Sequence, residues 1–490
     1  MEGDPWLYGR GEMERVLQAP GVRSGMRDSV AGLLIAVTFV LTFFSIPPQP
    51  AMAQSALPKT WYFAEGTTRE GFFEYISLQN PEPNVAHVTI TYMTNGGPIG
   101  PFVHDIQARS RETVYVNGFL DPGLDVSVKV ESDRGLVAER PMYFSYKGAW
   151  NGGSVVTGVT APSKQWYFAE GTTRPGFEEW LCIQNPQDVE LSVKVHYYTP
   201  TEVQEKSYIV PARYRFTIDV NGEAALFWPQ EPHQDVSLKV EADLGIIAER
   251  PMYFKYMNDW DGGDTAVGVT QPGKEWYLAE GYCQWNFDTW LCFLNPDLPT
   301  AKVTVNYRRG DGALLPAQEV EVPGLSRRTI YVNDVVGKGE FSFQITSDRD
   351  IVVERPMYFS YKYIWAGGHN NTAIASASGN WYLAEGATHT GIETYLCVLN
   401  PVSTDQTVMV EYMMEKGANK NVEFVVPAYS RYTRNVNSDV GPGHDVSFRV
   451  KAIKNNPTMD VGEIVVERPM YFLYGGTLAG GHVASGYPAD

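Results

Sequence analysis

Four cysteines in 490 residues are too few to build a disulfide framework. Basic charge is scarce as well: 39 Lys and Arg stand against 57 Asp and Glu, a formal net charge of −18. A field of that sign repels phosphate backbones and anionic lipid, which argues against nucleic acid as a partner. Beyond residues 30–46 no stretch keeps helical periodicity for three turns. G-x-S-x-G, H-E-x-x-H and phosphate-loop motifs are all missing. The eight histidines share one recurring position, Gly-Gly-His at His369 and His482, where earlier copies carry Ser154 and Asp264. No cofactor or metal set is expected from these absences. Aromatic residues, by contrast, make up 13% of the chain, a load typical of β-rich packing.

The only long apolar run, Val30 to Ile46, follows Arg23 and Arg27 and precedes Ala51-Met52-Ala53. A positive flank, an apolar core and an A-x-A site are the parts of a secretory signal, with cleavage expected after Ala53. Initiation at Met26 would give a signal of ordinary length. The rival is an uncleaved anchor, since the run is just long enough to span a bilayer. Membrane contact is expected only through this segment, and the rest of the chain is expected to be secreted or held at the cell surface.

One unit is written four times. Trp61-Tyr62-Phe63-Ala64-Glu65-Gly66 returns at Trp166, Trp276 and Trp381, at intervals of 105, 110 and 105 residues. Asn-Pro recurs from Asn80, Asn185, Asn295 and Asn400, and R-x-T-x-x-V-N from Arg111, Arg215, Arg327 and Arg431. Each unit closes on Glu-Arg-Pro-Met-Tyr-Phe, beginning at Glu139, Glu249, Glu354 and Glu467. Four landmarks in one order define tandem repeats. The expected boundaries are a signal segment at 1–53 and repeats at 54–160, 161–270, 271–378 and 379–490.

Within a unit the period is two, as in Val126-Ser127-Val128-Lys129-Val130, which reads as half-buried strand. Unit one holds seven or eight such stretches, near 61–64, 74–79, 86–94, 102–107, 111–116, 126–132, 136–146 and 154–160. That is the arithmetic of an antiparallel, immunoglobulin-like β-sandwich, so the fold expected is all-β with four tandem sandwiches. Linkers of about five polar residues favour a semi-rigid rod. The competing arrangement is one closed, eight-bladed propeller.

Glu65, Glu170, Glu280 and Glu385 sit in apolar strings, and Arg140, Arg250, Arg355 and Arg468 precede Pro-Met-Tyr-Phe. Catalytic sites are not normally stamped onto consecutive domains, so these charges are read as buried structural ion pairs. The Asn residues of Asn-Pro and of R-x-T-x-x-V-N are read as turn formers. Cys182, Cys292 and Cys397 occupy matching strings in which the first copy has Ser77, and they read as small buried hydrophobes. Cys283 lies nine residues before Cys292, which makes Cys283–Cys292 the one disulfide the spacing allows. Trp150, Trp260 and Trp365 lie in glycine-rich connections, either exposed for stacking on a ligand or folded down as plugs, with Leu478 in the fourth copy. Asp259, Asp261 and Asp264 have Ca²⁺-ligand chemistry, but the other copies lack the acids.

The W-Y-[FL]-A-E-G opening and E-R-P-M-Y-F close resemble a tandem repeat found in secreted and surface proteins of actinobacteria and related bacteria. The resemblance covers residues 61 to about 486. It implies an exported, modular β-sandwich protein and supplies no catalytic residue. The function expected is non-enzymatic: adhesion, or binding of an extracellular glycan, cell-wall or matrix component. A carbohydrate-active enzyme or its inactive relative is the alternative, and a self-associating spacer or surface-layer component is a third.

Overall fold

Alternation of β-branched and aromatic residues with polar ones yields strands almost throughout. The computed structural model describes residues 57–284, 286–313, 315–453 and 462–489. The expected export signal with its cleavage site, and most of the expanded hairpin at 451–461, lie outside the described residues.

Unit one contains eight strands: β1 (Thr60–Phe63), β2 (Phe72–Asn80), β3 (Ala86–Thr94), β4 (Gly97–Ile106), β5 (Ser110–Tyr115), β6 (Ser127–Ser132), β7 (Val137–Tyr146) and β8 (Trp150–Thr157). They form two antiparallel sheets, ordered β1-β6-β3-β4 and β5-β2-β7-β8. The fold is thus an all-β sandwich. Corresponding strands recur along the chain. In the second and third copies the partners of β6 and β7 fuse into single strands, Ser237–Tyr256 and Gly339–Tyr361, that pass through both sheets.

The opening tryptophan of each copy is the centre of its core. Trp61, Trp166, Trp276 and Trp381 are buried, and their indole N–H groups donate to the carbonyls of Leu136, Ile246, Gly273 and Ile464. A buried indole donor without such an acceptor would cost about 1–3 kcal/mol. Separate apolar clusters surround each of these rings, one per copy.

The Asn of R-x-T-x-x-V-N does more than end a strand. Asn117 accepts from the Glu74 amide at 2.9 Å and donates to the Phe72 carbonyl at 3.0 Å, clamping β2. Asn221, Asn333 and Asn437 repeat the clamp. Asn80 does form a turn, accepting from the Glu82 amide and donating to the Asn84 carbonyl.

The expected rod does not form. The last strand of each copy, β8, Trp260–Val267, Trp365–Thr372 and Leu478–Ser485, packs beside the next, and the fourth packs beside the first. The described residues form one compact unit. The outcome lies between the two expected arrangements: each copy keeps a two-sheet core, and the four cores close into a ring around these inner strands. Short linkers limited reach, as expected, but the buried charges described next supply a strong reason to close.

Candidate functional site

The repeated Glu and Arg residues lie at the seams between copies. Glu65 Oε2 accepts from Arg215 Nη2 at 2.5 Å and from the Cys182 thiol at 2.7 Å, both on the second copy. In return, Arg140 Nη1 lies 3.3 Å from Glu249 Oε2 and also donates to the Glu65 carbonyl. Glu249 further accepts from the Ala64 and Glu65 amides at 3.1 and 3.0 Å. The next seam pairs Glu170 with Arg327 and Cys292, and Arg250 with Glu354. The third pairs Glu280 with Arg431 and Cys397, and Arg355 with Glu467. The fourth closes the ring: Glu385 meets Arg111 at 2.9 Å and Ser77 at 2.5 Å, while Arg468 meets Glu139 at 2.7 Å.

The expected ion-pair residues are therefore buried and paired, with a correction to their partners. Within one copy the Arg reaches only the main-chain carbonyl of the Glu, and both charges find their counter-charges on the following copy. Sequence reasoning missed half of each seam: the Glu preceding each of these arginines, and the Arg of R-x-T-x-x-V-N. Both were visible as invariant letters across the four copies. Each of these buried charges gains a partner and further hydrogen bonds, as desolvation demands.

The cysteines are corrected too. All four are free. Cys283 donates to Asn333 Oδ1 at 2.9 Å, whereas Cys292 donates to Glu170 Oε2 at 2.6 Å, so the two thiols serve different networks and form no bridge. Cys182, Cys292 and Cys397 are seam donors as well as packing groups, and burial pushes their thiols well above the usual range. Ser77 takes the same role in the first copy.

Aromatic rings join the seams at one end of the ring. Tyr146 stacks on Tyr253 at 3.9 Å, Tyr256 on Tyr358 at 4.0 Å, Tyr361 on Tyr471 at 3.9 Å, and Tyr474 on Tyr143 at 4.0 Å. Trp150, Trp260 and Trp365 begin the inner strands here. Each lies against the tyrosine of its own hairpin, at 5.9, 5.8 and 5.8 Å from Tyr146, Tyr256 and Tyr361, and remains half-buried. Leu478 fills the fourth position. Beside these rings the hairpin tips expose Met257 (72%), Tyr363 (53%) and Ile364 (67%).

Asp259, Asp261 and Asp264 do not converge. Asp261 pairs with Lys255 at 3.2 Å, and Asp264 accepts from the Asn370 amide at 2.7 Å inside the ring. No cluster of metal-ligating side chains occurs among the described residues.

Fold and seams together define a closed all-β ring of two-sheet units, with its repeated charges turned inward. No protein-family model matches the chain, and no curated protein matches it. Among solved structures, Thermotoga maritima 1070 is similar at 17% identity over 21% of this chain and 94% of its own, with a TM-score of 0.20. The Anabaena sensory rhodopsin transducer is similar at 24% identity over 17% of this chain and 95% of its own, with a TM-score of 0.16. A glycoside hydrolase family 2 β-galacturonidase from Eisenbergiella tayi aligns at 10% identity over 65% of this chain and 44% of its own, with a TM-score of 0.14. At these TM-scores the likenesses carry no argument about function.

Proposed function

We propose that the protein is an exported, non-enzymatic binding scaffold whose hairpin end engages an extracellular glycan, cell-wall or matrix component. One observation carries the reading. The repeated carboxylates and guanidinium groups are consumed by seams, and the repeated feature left at the surface is a set of hairpins bearing Trp150, Trp260 and Trp365. Half-buried indoles held against the tyrosines of their own hairpins are rigid contact surfaces with little entropy left to lose. Several weak contacts on one molecule gain avidity against a polymeric partner. Export and surface location rest on the N-terminal signal pattern and the repeat resemblance.

Binding to immobilised polysaccharides, peptidoglycan and matrix proteins tests this. The wild type is expected to bind at least one, and a Trp150/Trp260/Trp365→Ala variant that stays folded is expected to lose it. Glu65→Gln and Glu170→Gln are expected to lower the unfolding midpoint while the folded fraction keeps full binding. Absence of binding by the wild type across the panel overturns the reading.

A further inference from the structure

The inner strands enclose a cavity that the hairpin-end reading does not use. Toward the hairpins the axis is shut by paired glycines. A Cβ added to Gly480 would sit 3.1 Å from Gly152 Cα, and one added to Gly262 would sit 3.1 Å from Gly368 N. Only glycine permits that approach. Further along the same strands a cavity of about 210 Å³ opens between Val155, Thr265, Asn370 and Val483. Gly268, Val269 and Ala373 form a wall shared with a wider depression of about 650 Å³ among the linkers, which gives the cavity a route to solvent.

Three observations define what the cavity suits. No charged side chain lines it among the described residues, so an ion would be desolvated without a counter-charge. Asn370 is 4% exposed; its Nδ2 is committed to Glu354 Oε2 at 2.6 Å, and its Oδ1 takes no hydrogen bond from the protein. One residue deeper, Asp264 Oδ1 and both ring nitrogens of His369 and His482 are likewise buried and unpartnered. Of these groups only Asn370 lines the cavity; an unpaired buried acceptor there costs about 1–3 kcal/mol, which disfavours an apolar occupant. The seam residues are the same in nearly every copy, but the axial positions are Val, Thr, Asn and Val, giving the ring an asymmetric polar side.

We propose that the axial cavity binds one uncharged, hydroxyl-bearing molecule the size of a single pyranose, with a hydroxyl donating to Asn370 Oδ1. The volume equals that of roughly seven waters, so displacing them is within reach of such a ligand.

Calorimetry and saturation-transfer NMR of the full chain with D-glucose and N-acetylglucosamine test this, with acetate as the charged control. Saturable one-to-one binding of at least one sugar is expected, weakened about tenfold or more by Ala266→Leu, which grows into the cavity. The Trp150/Trp260/Trp365→Ala variant is expected to bind the sugar unchanged, which separates this site from the hairpin end. If Ala266→Leu fails to fold, Ala484→Val replaces it, and weaker binding is again expected. The proposal is overturned if neither sugar binds, if acetate binds in their place, or if a folded cavity-filling variant binds at full strength.

Discussion

A seam works because a thiol or hydroxyl shares a carboxylate with a guanidinium. Glu170 takes Arg327 at 3.2 Å and Cys292 at 2.6 Å, while Glu385 is served by Arg111 and Ser77. The first copy thus carries a natural experiment for the others. Cys292→Ser should be tolerated within about 1 kcal/mol, whereas Cys292→Val removes a donor from a buried carboxylate and should cost about 1–3 kcal/mol. Denaturant midpoints at constant m-value will read the difference. The charged residues themselves were legible in the sequence as letters repeated in apolar strings. Their partners were not, because four copies with the same landmarks offer four equivalent counter-charges and spacing alone cannot choose among them. The thiol role was equally hidden: a small buried hydrophobe and a buried donor look the same until the acceptor is in place.

At the scale of strands, alternation located all eight strands of unit one. The expected stretches at 86–94 and 136–146 match β3 and β7 closely, and 154–160 anticipates β8, which starts at Trp150 because the glycines that look like a loop are paired with β7. The Cys283–Cys292 bridge failed because hairpin proximity in sequence says nothing about which way side chains face. One strand position breaks the fourfold pattern. Glu74 on β2 and Glu179 on the matching strand Phe177–Asn185 are fully buried, where the other copies carry Thr289 and Thr394. Burial pushes both carboxyls up to about 8, with Arg140 and Arg250 opposing the shift. The folded chain therefore keeps protons that the unfolded chain releases near its ordinary value of 4.5. Their contribution to stability is full below that value and declines as pH rises toward 8, by about 1.4 kcal/mol per pH unit for each carboxyl. Replacing both with Thr should flatten this part of the stability-versus-pH curve, measured by urea unfolding between pH 5 and 9.

At the scale of the whole molecule, closure was the feature sequence patterning could not show. A repeat long enough to bury its own core reads equally well as a bead on a string, and only the seam geometry distinguishes the two. Head-to-tail contacts between like units either run on indefinitely or return to their start. Here they return, and the shared axis with its cavity exists only because they do.

Three of the seams have a peptide linker bridging them; the fourth has none. Arg250–Glu354 and Arg355–Glu467 join residues 104 and 112 positions apart, whereas Arg468–Glu139 spans 329. Loop-closure entropy makes that last contact about 1 kcal/mol dearer, and no covalent tether holds the pieces nearby once it parts. The molecule therefore has a built-in clasp, and breathing begins there. The amide of Glu385, bonded to Glu139, should exchange with deuterium faster than the equivalent amides of Glu65, Glu170 and Glu280. Equal protection at all four would mean that the ring opens only by unfolding.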